Sequence, residues 1–203
     1  MDVLNKIIQS LNKEEVRFYK LYSKRTEPSL DRKDILLFDF IRKQGDRYNE
    51  EKIFAKLYNA GTKNPYYRLK NRLAEDLNKC LTLQHYNEGE EIQIHNLLTT
   101  VKLYSKKRAY NLCLHYLKKA EKEAVKIEAY DLLDIIYSEY IKLSQESISL
   151  DPEQFILKRK ENLAVLNKFR EMDDVLAMVI YKTKTTQNFS SKKNPIVPLL
   201  EKT

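Results

Sequence analysis

Apolar side chains recur at every third or fourth position through most of this chain, which is the spacing of one face of an α-helix. The pattern is clearest from Leu97 to Tyr140, a stretch that contains neither proline nor glycine. Small residues, Ala120 and Ala124, share a face with large ones, so neighbouring helices can approach closely and interdigitate. A turn is expected near Lys107–Ala109. The predicted helices are 90–108, 110–127 and about 129–147.

The same spacing, together with helix-capping residues, predicts five helices before this stretch. Asn12 and Glu15 form the pattern of a capping box at the start of the second helix. Gly45 is expected to end the third helix, and Asn49 to cap the short fourth helix, which Gly61 closes. Pro65 suits the first turn of the fifth. The predicted spans are 2–11, 13–25, 31–45, 50–59 and 65–86.

The break at Asn87–Glu90 is short, which predicts a hinge between helices and a domain boundary. Near the C-terminus, Asp151 and Pro152 have the pattern of a helix start, and a helix is predicted to about Arg170. A further helix is predicted from Met172. The polar segment 183–203 contains two prolines and is interpreted as a loose tail. The predicted domains are a helical N-terminal domain at 1–86, a hairpin domain at 90–182 and the tail.

Composition supports an all-helical chain, because 3 glycines and 5 prolines in 203 residues leave few tight turns.

The net charge of +8 is distributed unevenly along the chain. Residues 1–86 hold 18 Lys and Arg against 12 Asp and Glu, whereas residues 87–203 hold 19 against 17. An anionic partner would therefore meet the N-terminal part, although a modestly basic surface also serves solubility alone.

The spacing of seven residues from Leu97 onward resembles a tetratricopeptide repeat (TPR), a helical hairpin of 34 residues. Val101 and Cys113 stand where the family prefers Gly and Ala, Arg108 stands where it prefers Gly, and the closing Pro is missing. The resemblance covers one repeat well and a second poorly, about a third of the chain. It implies an all-α fold of antiparallel helix hairpins stacked as a short TPR-like solenoid, preceded by a small helical N-terminal domain. The seven residues are Leu97, Val101, Tyr104, Tyr110, Cys113, Leu117 and Ala120.

This resemblance implies a protein-binding scaffold without enzymatic activity, because the first helix of each TPR unit lines a concave groove. More loosely, the layout of a basic helical segment before such hairpins is similar to larger bacterial proteins. Lys102 and Lys106, one turn apart, suit an acidic peptide or a C-terminal carboxylate, although they are equally typical of a solvated helix face. Carried over onto this repeat, the groove positions are His95, Leu98, Lys102, Ser105 and Lys106.

A nucleic-acid-binding protein is the alternative. The fourth and fifth helices have the outline of a helix-turn-helix, although their turn is long and Glu75 and Asp76 follow the basic residues at once. Arg and Asn are residue types that read base edges, and Tyr and Lys commonly contact phosphate. A plain structural helix is the competing interpretation. The candidate contacts are Tyr66, Tyr67, Arg68, Lys70, Asn71 and Arg72.

Residue types that commonly bind metals or phosphate or act in catalysis do not form a recognisable motif in this sequence. His85, His95 and His115 lack metal-ligand spacing, and no glycine-rich phosphate loop exists. Cys80 and Cys113 stand among apolar residues, as core thiols do. We therefore predict no catalytic residue, metal or cofactor.

Location and self-association are the remaining expectations. Neither a leader nor a membrane span is predicted, and the cytoplasm is the expected location. The run Val175–Ile180 is apolar on more than one face, which predicts either burial under the tail or a homodimer contact.

Overall fold

A computed structural model describes residues 2–26, 32–45, 49–58, 62–146 and 150–185. Within these residues the chain is entirely helical, with nine α-helices and no strand, which confirms the predicted all-α class. The helices are α1 (Val3–Ser10), α2 (Lys13–Thr26), α3 (Lys33–Gln44), α4 (Glu50–Tyr58), α5 (Asn64–Gln84), α6 (Glu90–Lys106), α7 (Tyr110–Lys126), α8 (Tyr130–Glu146) and α9 (Pro152–Thr185).

The chain divides into two compact units between Glu88 and Gly89. We call them the N-terminal unit and the C-terminal unit. Each unit has its own cluster of buried apolar side chains. The helices α1 to α5 therefore share one core and α6 to α9 another.

In the N-terminal unit, α5 is the central helix and packs against α1, α2 and α3. The predicted capping box at the start of α2 is confirmed. The Asn12 side chain accepts hydrogen bonds from the backbone amides of Glu14 and Glu15, both at 2.9 Å, and the Glu15 carboxylate accepts one from the Asn12 amide at 2.7 Å. Gly45 follows α3 with φ of +59°, a conformation that favours glycine.

A single arginine covers the C-terminal end of α1. The Arg42 guanidinium, on α3, donates to the carbonyl oxygen of Leu11 at 2.8 Å, to that of Gln9 at 3.3 Å, and also to that of Ile8. The last carbonyls of a helix have no partner within the helix, so a cation with several donors suits this place. Arg42 thus joins α3 to α1 through polar contacts rather than through apolar burial.

In the C-terminal unit, each helix packs against the next one along the chain. Two turns with the same geometry connect α6 to α7 and α7 to α8. Arg108 and Glu128 both have φ of +55°, and the amides of Ala109 and Ala129, one residue later, donate to the carbonyls of Tyr104 and Ala124. These are the hydrogen bonds of a Schellman motif, in which a non-glycine residue occupies the left-handed position. Each turn reverses the chain in three residues.

The core of the C-terminal unit combines small residues with large rings. Ala120 and Ala124 are fully buried, as predicted, and they let α7 approach its neighbours closely. Tyr140 on α8 stacks on Phe155 of α9 with ring centroids 4.1 Å apart. The helix start predicted at Asp151 is also confirmed, since its carboxylate accepts a hydrogen bond from the Glu153 amide at 2.9 Å.

The predicted break between Arg170 and Met172 is wrong. A single helix, α9, runs through 34 residues from Pro152 to Thr185. No proline or glycine stands between these ends, so nothing in the backbone stops the helix. The first three residues of the predicted tail, 183–185, belong to α9, and 186–203 lie outside the described residues. The positions predicted at Asp31 and Gly61 also lie outside them.

Candidate partner-binding surfaces

The predicted groove residues on α6 divide into exposed and buried positions. His95, Lys102, Ser105 and Lys106 are exposed. Leu98 is only 5% exposed and belongs to the core cluster of the C-terminal unit, so its assignment to the groove is wrong. It lies three or four residues from Ile94 and Val101, two other buried positions of the same helix face.

Ser105 opens onto a cleft of about 200 Å³ between α6, α7 and α8. Val101, Cys113, Leu117 and Leu143 form its buried apolar floor. The rim is polar and comes from three helices. Its side chains are Ser105, Tyr110, Glu139, Lys142, Gln145 and Glu146.

The acidic groups of this rim already have partners. Glu139 pairs with Lys142 at 2.7 Å, and the Tyr110 hydroxyl donates to Glu146 at 3.0 Å. This hydrogen bond to the Glu146 carboxylate raises the pKa of Tyr110, so the phenol stays protonated and remains a donor. Lys142 therefore balances the charge of Glu139, whereas Glu146 accepts a hydrogen bond from a neutral group and remains a negative charge at the rim.

The lysines on the α6 side of the cleft differ from these acids. Neither Lys102 nor Lys106 makes an ion pair with any residue that the structure describes. Both are exposed, and they stand three residues before and one residue after Ser105 on α6, outside the lining of the cleft. An exposed ammonium group near a carboxylate gains up to about 1 kcal/mol. Two such groups beside an apolar floor suit a ligand that has a carboxylate next to an apolar group.

The size of the cleft decides what class of ligand it accommodates. Small-molecule and cofactor sites usually enclose about 300–1,000 Å³. At about 200 Å³ the cleft suits one side chain better than a whole cofactor. Its combination of apolar floor and polar rim is typical of a pocket that anchors a residue of a partner chain.

The rim residues on α7 and α8 were not predicted. In the sequence, Tyr110 belongs to the repeat pattern, and no motif distinguishes Glu139, Lys142 or Glu146. The second repeat matches the TPR spacing poorly, so its spacing does not predict which residues of α8 face α6. One regularity is nevertheless present, because the left-handed residues of the two turns, Arg108 and Glu128, lie 20 residues apart.

The six candidate nucleic-acid contacts on α5 also divide. Tyr67, Arg68, Asn71 and Arg72 are exposed. Tyr66 is fully buried against aromatic rings of α4, so it cannot contact a ligand in this fold.

Lys70 is also an internal residue, so its assignment is wrong as well. Its ammonium group pairs with Asp2 at 2.7 Å and lies 3.7 Å from Glu50, and its side chain is only 13% exposed. Two carboxylates already neutralise this charge, so it is not available to phosphate.

Arg68 and Arg72 line one shallow cleft of about 250 Å³ together with Tyr58 and Pro65. Arg72 also borders a second cleft that contains the carboxylates of Asp34 and Asp76. These acids weaken the attraction of the surface for an anion. The arginine pair therefore provides a limited basic surface.

His85, at the end of α5, connects two acidic residues. Its Nε2 lies 2.9 Å from Glu15 of the α2 capping box, and its Nδ1 contacts Glu88. The hydrogen bonds to Glu88 and Glu15 raise the pKa of His85. The backbone hydrogen bond from Asn12, assisted by His85, lowers the pKa of Glu15. His85 is thus an intramolecular ion-pair partner, a role that the sequence did not reveal.

Cysteine chemistry and metal binding find no support in the described residues. Cys80 and Cys113 are buried and free, as predicted. Burial raises the pKa of the Cys80 thiol to about 11 and also raises that of Cys113, so neither forms a thiolate readily. Within the described ranges, no three His, Cys, Asp or Glu side chains come together as metal ligands.

The remaining surface feature is an apolar strip on the C-terminal half of α9, where Phe169, Met172 and Leu176 are exposed. None of the described helices combines the length and hydrophobicity that a membrane crossing requires.

Comparison of the chain with protein-family models, with curated proteins and with solved structures finds no match.

Proposed function

We propose that this chain is a non-enzymatic interaction scaffold, a TPR-like module whose α6–α8 surface binds an acidic segment of a partner protein. One observation carries the proposal. A side-chain-sized cleft with an apolar floor opens at Ser105 of α6, and two exposed lysines of the same helix, Lys102 and Lys106, have no acidic partner among the described residues.

The expected ligand is an extended peptide with an apolar residue followed or preceded by carboxylates. The apolar side chain enters the cleft above Val101 and Leu117. The carboxylates lie near Lys102 and Lys106, and the Tyr110 hydroxyl and the Ser105 hydroxyl provide polar contacts at the rim. Burial of one leucine-sized side chain contributes about 2 kcal/mol, and each exposed charge pair contributes less than about 1 kcal/mol. These contacts together contribute less than about 4 kcal/mol, so by themselves they predict an affinity no tighter than about 1 mM.

Selection from a random peptide library displayed on phage tests this proposal on the intact chain. We expect the selected peptides to be acidic and to share an apolar residue. In fluorescence polarisation, Lys102→Glu/Lys106→Glu should weaken their binding by about tenfold or more, since about 1.4 kcal/mol is a factor of ten. Ser105→Trp should do the same by filling the cleft from its exposed rim.

Lys118→Glu/Lys122→Glu is the matched control. These two lysines are also exposed and four residues apart, but they lie on α7 rather than on α6. Selected peptides without acidic residues, or equal losses in both double variants, would contradict the proposal.

Nucleic-acid binding remains a second candidate because Arg68 and Arg72 are exposed one turn apart on α5 and share a cleft. The prediction is a mobility shift of duplex DNA that weakens with salt and is lost in Arg68→Glu/Arg72→Glu. Lys13→Glu/Arg17→Glu changes the charge equally at exposed positions of α2 and should retain the shift. Equal loss in both variants would indicate an effect of net charge alone.

A further inference from the structure

The segment that connects α5 to α6 is short, and a histidine stands at its start. α5 ends at Gln84 and α6 begins at Glu90, so residues 85–89 join the last helix of the N-terminal unit to the first helix of the C-terminal unit. His85 is the C-cap of α5, and its backbone amide donates to the carbonyl of Leu81 at 3.0 Å. The His85 side chain therefore stands both at a helix end and at the connection between the units.

Both ring nitrogens of His85 face a carboxylate. Nε2 lies 2.9 Å from Oε1 of Glu15, on α2, and Nδ1 contacts Oε2 of Glu88, within the connection. A neutral imidazole has one N–H group and one lone pair, so it can donate to only one of the two carboxylates. The imidazolium has two N–H groups and can donate to both. The arrangement therefore fits the protonated ring, which holds a residue of α2 and a residue of the connection at the same time.

The two carboxylates differ in how firmly they are held. The second oxygen of Glu15 accepts a hydrogen bond from the Asn12 amide at 2.7 Å, and the Glu15 side chain is only 14% exposed. The Glu88 side chain is 68% exposed. An ion pair at such an exposed position contributes little, because water competes for both partners. When the ring is neutral, its single N–H group should therefore remain on Nε2 and donate to Glu15, and Nδ1 then presents a lone pair to Glu88.

The proton of this ring is exchanged near neutral pH. Among the described residues, the charged groups that interact with the ring are Glu88 from the connection and Glu15 from α2. Their hydrogen bonds and negative charges raise the pKa of His85 above its ordinary value of about 6.5. The ring is therefore protonated below this value and loses its proton as the pH rises through the pKa of the folded state.

We propose that His85 is a pH-sensitive switch for the connection between the two units. The imidazolium form holds Glu88 and restrains the connection, whereas the neutral form keeps Glu15 and releases Glu88. The Glu88 amide also donates to the His85 carbonyl at 3.0 Å, and this hydrogen bond of the same turn should weaken when the side chain leaves. None of the residues that line the cleft at Ser105 belongs to 85–89, so the switch does not depend on the peptide-binding function.

Nuclear magnetic resonance on the full chain, from pH about 5 to about 9, tests the ring chemistry of this switch. Long-range proton–nitrogen correlation spectra report which ring nitrogen carries a hydrogen, and His85→Gln identifies the His85 signals among those of the 3 histidines. We expect hydrogens on both nitrogens at acidic pH and on Nε2 alone at alkaline pH. A neutral ring with its hydrogen on Nδ1 would overturn the proposal, because Glu88 would then be the carboxylate that is retained.

The backbone of the connection is followed in the same samples by carbon-detected spectra, which do not rely on amide protons. The carbonyl chemical shifts of 86–89 should move toward random-coil values with the same midpoint as the His85 titration, while those of α2 and of the interior of α5 stay in place. Absence of any movement at 86–89 would show that nothing is released. Movement throughout the N-terminal unit would indicate general loosening, and either result would overturn the proposal.

Two substitutions of exposed acids separate the contact from net charge. Glu88→Gln should shift the His85 titration to lower pH, because it removes one of the two charges. The glutamine amide can accept from the imidazolium and donate to the neutral ring, so the carbonyl shifts of 86–89 should no longer respond to pH. Both positions are exposed, so both variants should fold.

Glu91→Gln is the matched control, since Glu91 lies three residues after Glu88 and makes no ion pair with any residue that the structure describes. It should leave the pH response of 86–89 unchanged. Equal effects of the two substitutions would show that net charge, rather than the contact with His85, controls the connection, and the proposal would be wrong.

Discussion

The two units of this protein differ in the contacts that stabilise each of them internally. In the N-terminal unit, largely buried ion pairs and a helix-capping arginine add to the apolar core. Arg42 covers the end of α1, Lys70 pairs with Asp2 and Glu50, and Arg32 pairs with Asp34 at a largely buried site. In the C-terminal unit, the core is formed by stacked rings, buried aliphatic residues and small alanines.

Two units of the same all-helical class should therefore be sensitive to different perturbations. A unit joined by ion pairs and capping hydrogen bonds should be sensitive to loss of a charge and to pH. A unit joined by apolar interdigitation should be sensitive to changes of side-chain volume. Hydrogen-exchange mass spectrometry reports peptides from α1–α5 and from α6–α9 separately, so it can assign each effect to one unit.

The largest expected effect is in the C-terminal unit. Tyr140→Ala removes a ring that is 1% exposed and stacks on Phe155, which should cost about 4 kcal/mol of unfolding free energy. Chemical denaturation measures the loss, and exchange should accelerate in α8 and α9 with α1–α5 unchanged. Tyr140→Phe keeps the ring and should cost about 1 kcal/mol. A loss below about 1 kcal/mol for the alanine variant would show that the stack contributes little.

The next effect should appear in the N-terminal unit. Arg42→Ala leaves the carbonyls at the end of α1 without their donor and should cost about 2 kcal/mol. Faster exchange should be confined to α1–α5. Arg42→Lys retains the charge but not the planar set of donors, so it should recover only part of the loss. Equal acceleration in both units would remove the distinction between them.

A smaller effect, of opposite sign, is expected at the turns. Arg108 and Glu128 hold the left-handed conformation that glycine adopts without strain. Arg108→Gly should therefore raise the unfolding free energy by about 0.5 kcal/mol, the relief of strain being partly offset by the greater entropy of the unfolded chain. Glu128→Gly should behave similarly. Arg17→Gly, in the interior of α2, provides the control and should be destabilising by about 1 kcal/mol.

The smallest effect concerns pH. The pKa of His85 is raised in the folded chain by Glu88 and Glu15. The folded state therefore binds this proton more tightly than the unfolded state, whose pKa is about 6.5. The stabilisation is fully present below this value and is lost as pH rises through the folded pKa. The stability difference between wild type and His85→Gln should shrink between slightly acidic and alkaline pH, as followed by denaturation. A pH-independent difference would exclude the ion pair.

A second titrating group acts at the acid end of the same unit. Burial alone would raise the pKa of Asp34, but the hydrogen bond and charge of Arg32 outweigh it and lower the pKa. Its contribution to stability is therefore present above a pH of about 3.9, the pKa of an unperturbed Asp, and is lost as the pH falls through the pKa of the folded state. Asp34→Asn should flatten the acid limb of the stability curve, whereas Asp39→Asn, at an exposed ion pair, should leave it nearly unchanged.

Sequence alone determined the secondary structure closely, because its signals are local. The spacing of apolar residues located the helices, and Asn12, Gly45 and Asp151 marked helix ends through hydrogen bonds or backbone angles that span only a few residues. The error in α9 arose where no such marker exists. A break is predicted between Arg170 and Met172, whereas the backbone continues as one helix from Pro152 to Thr185.

Contacts between helices distant in sequence were decided by the tertiary structure. Leu98 is apolar and Tyr66 amphipathic by residue type, but only the packing of the neighbouring helices shows that both are buried. In the sequence Lys70 is one of several basic residues, and only the folded structure places Asp2 and Glu50 beside it. The cleft at Ser105 likewise exists only because α6, α7 and α8 converge there. A helix is encoded by residues three and four apart, whereas a surface requires side chains from segments that only folding brings together.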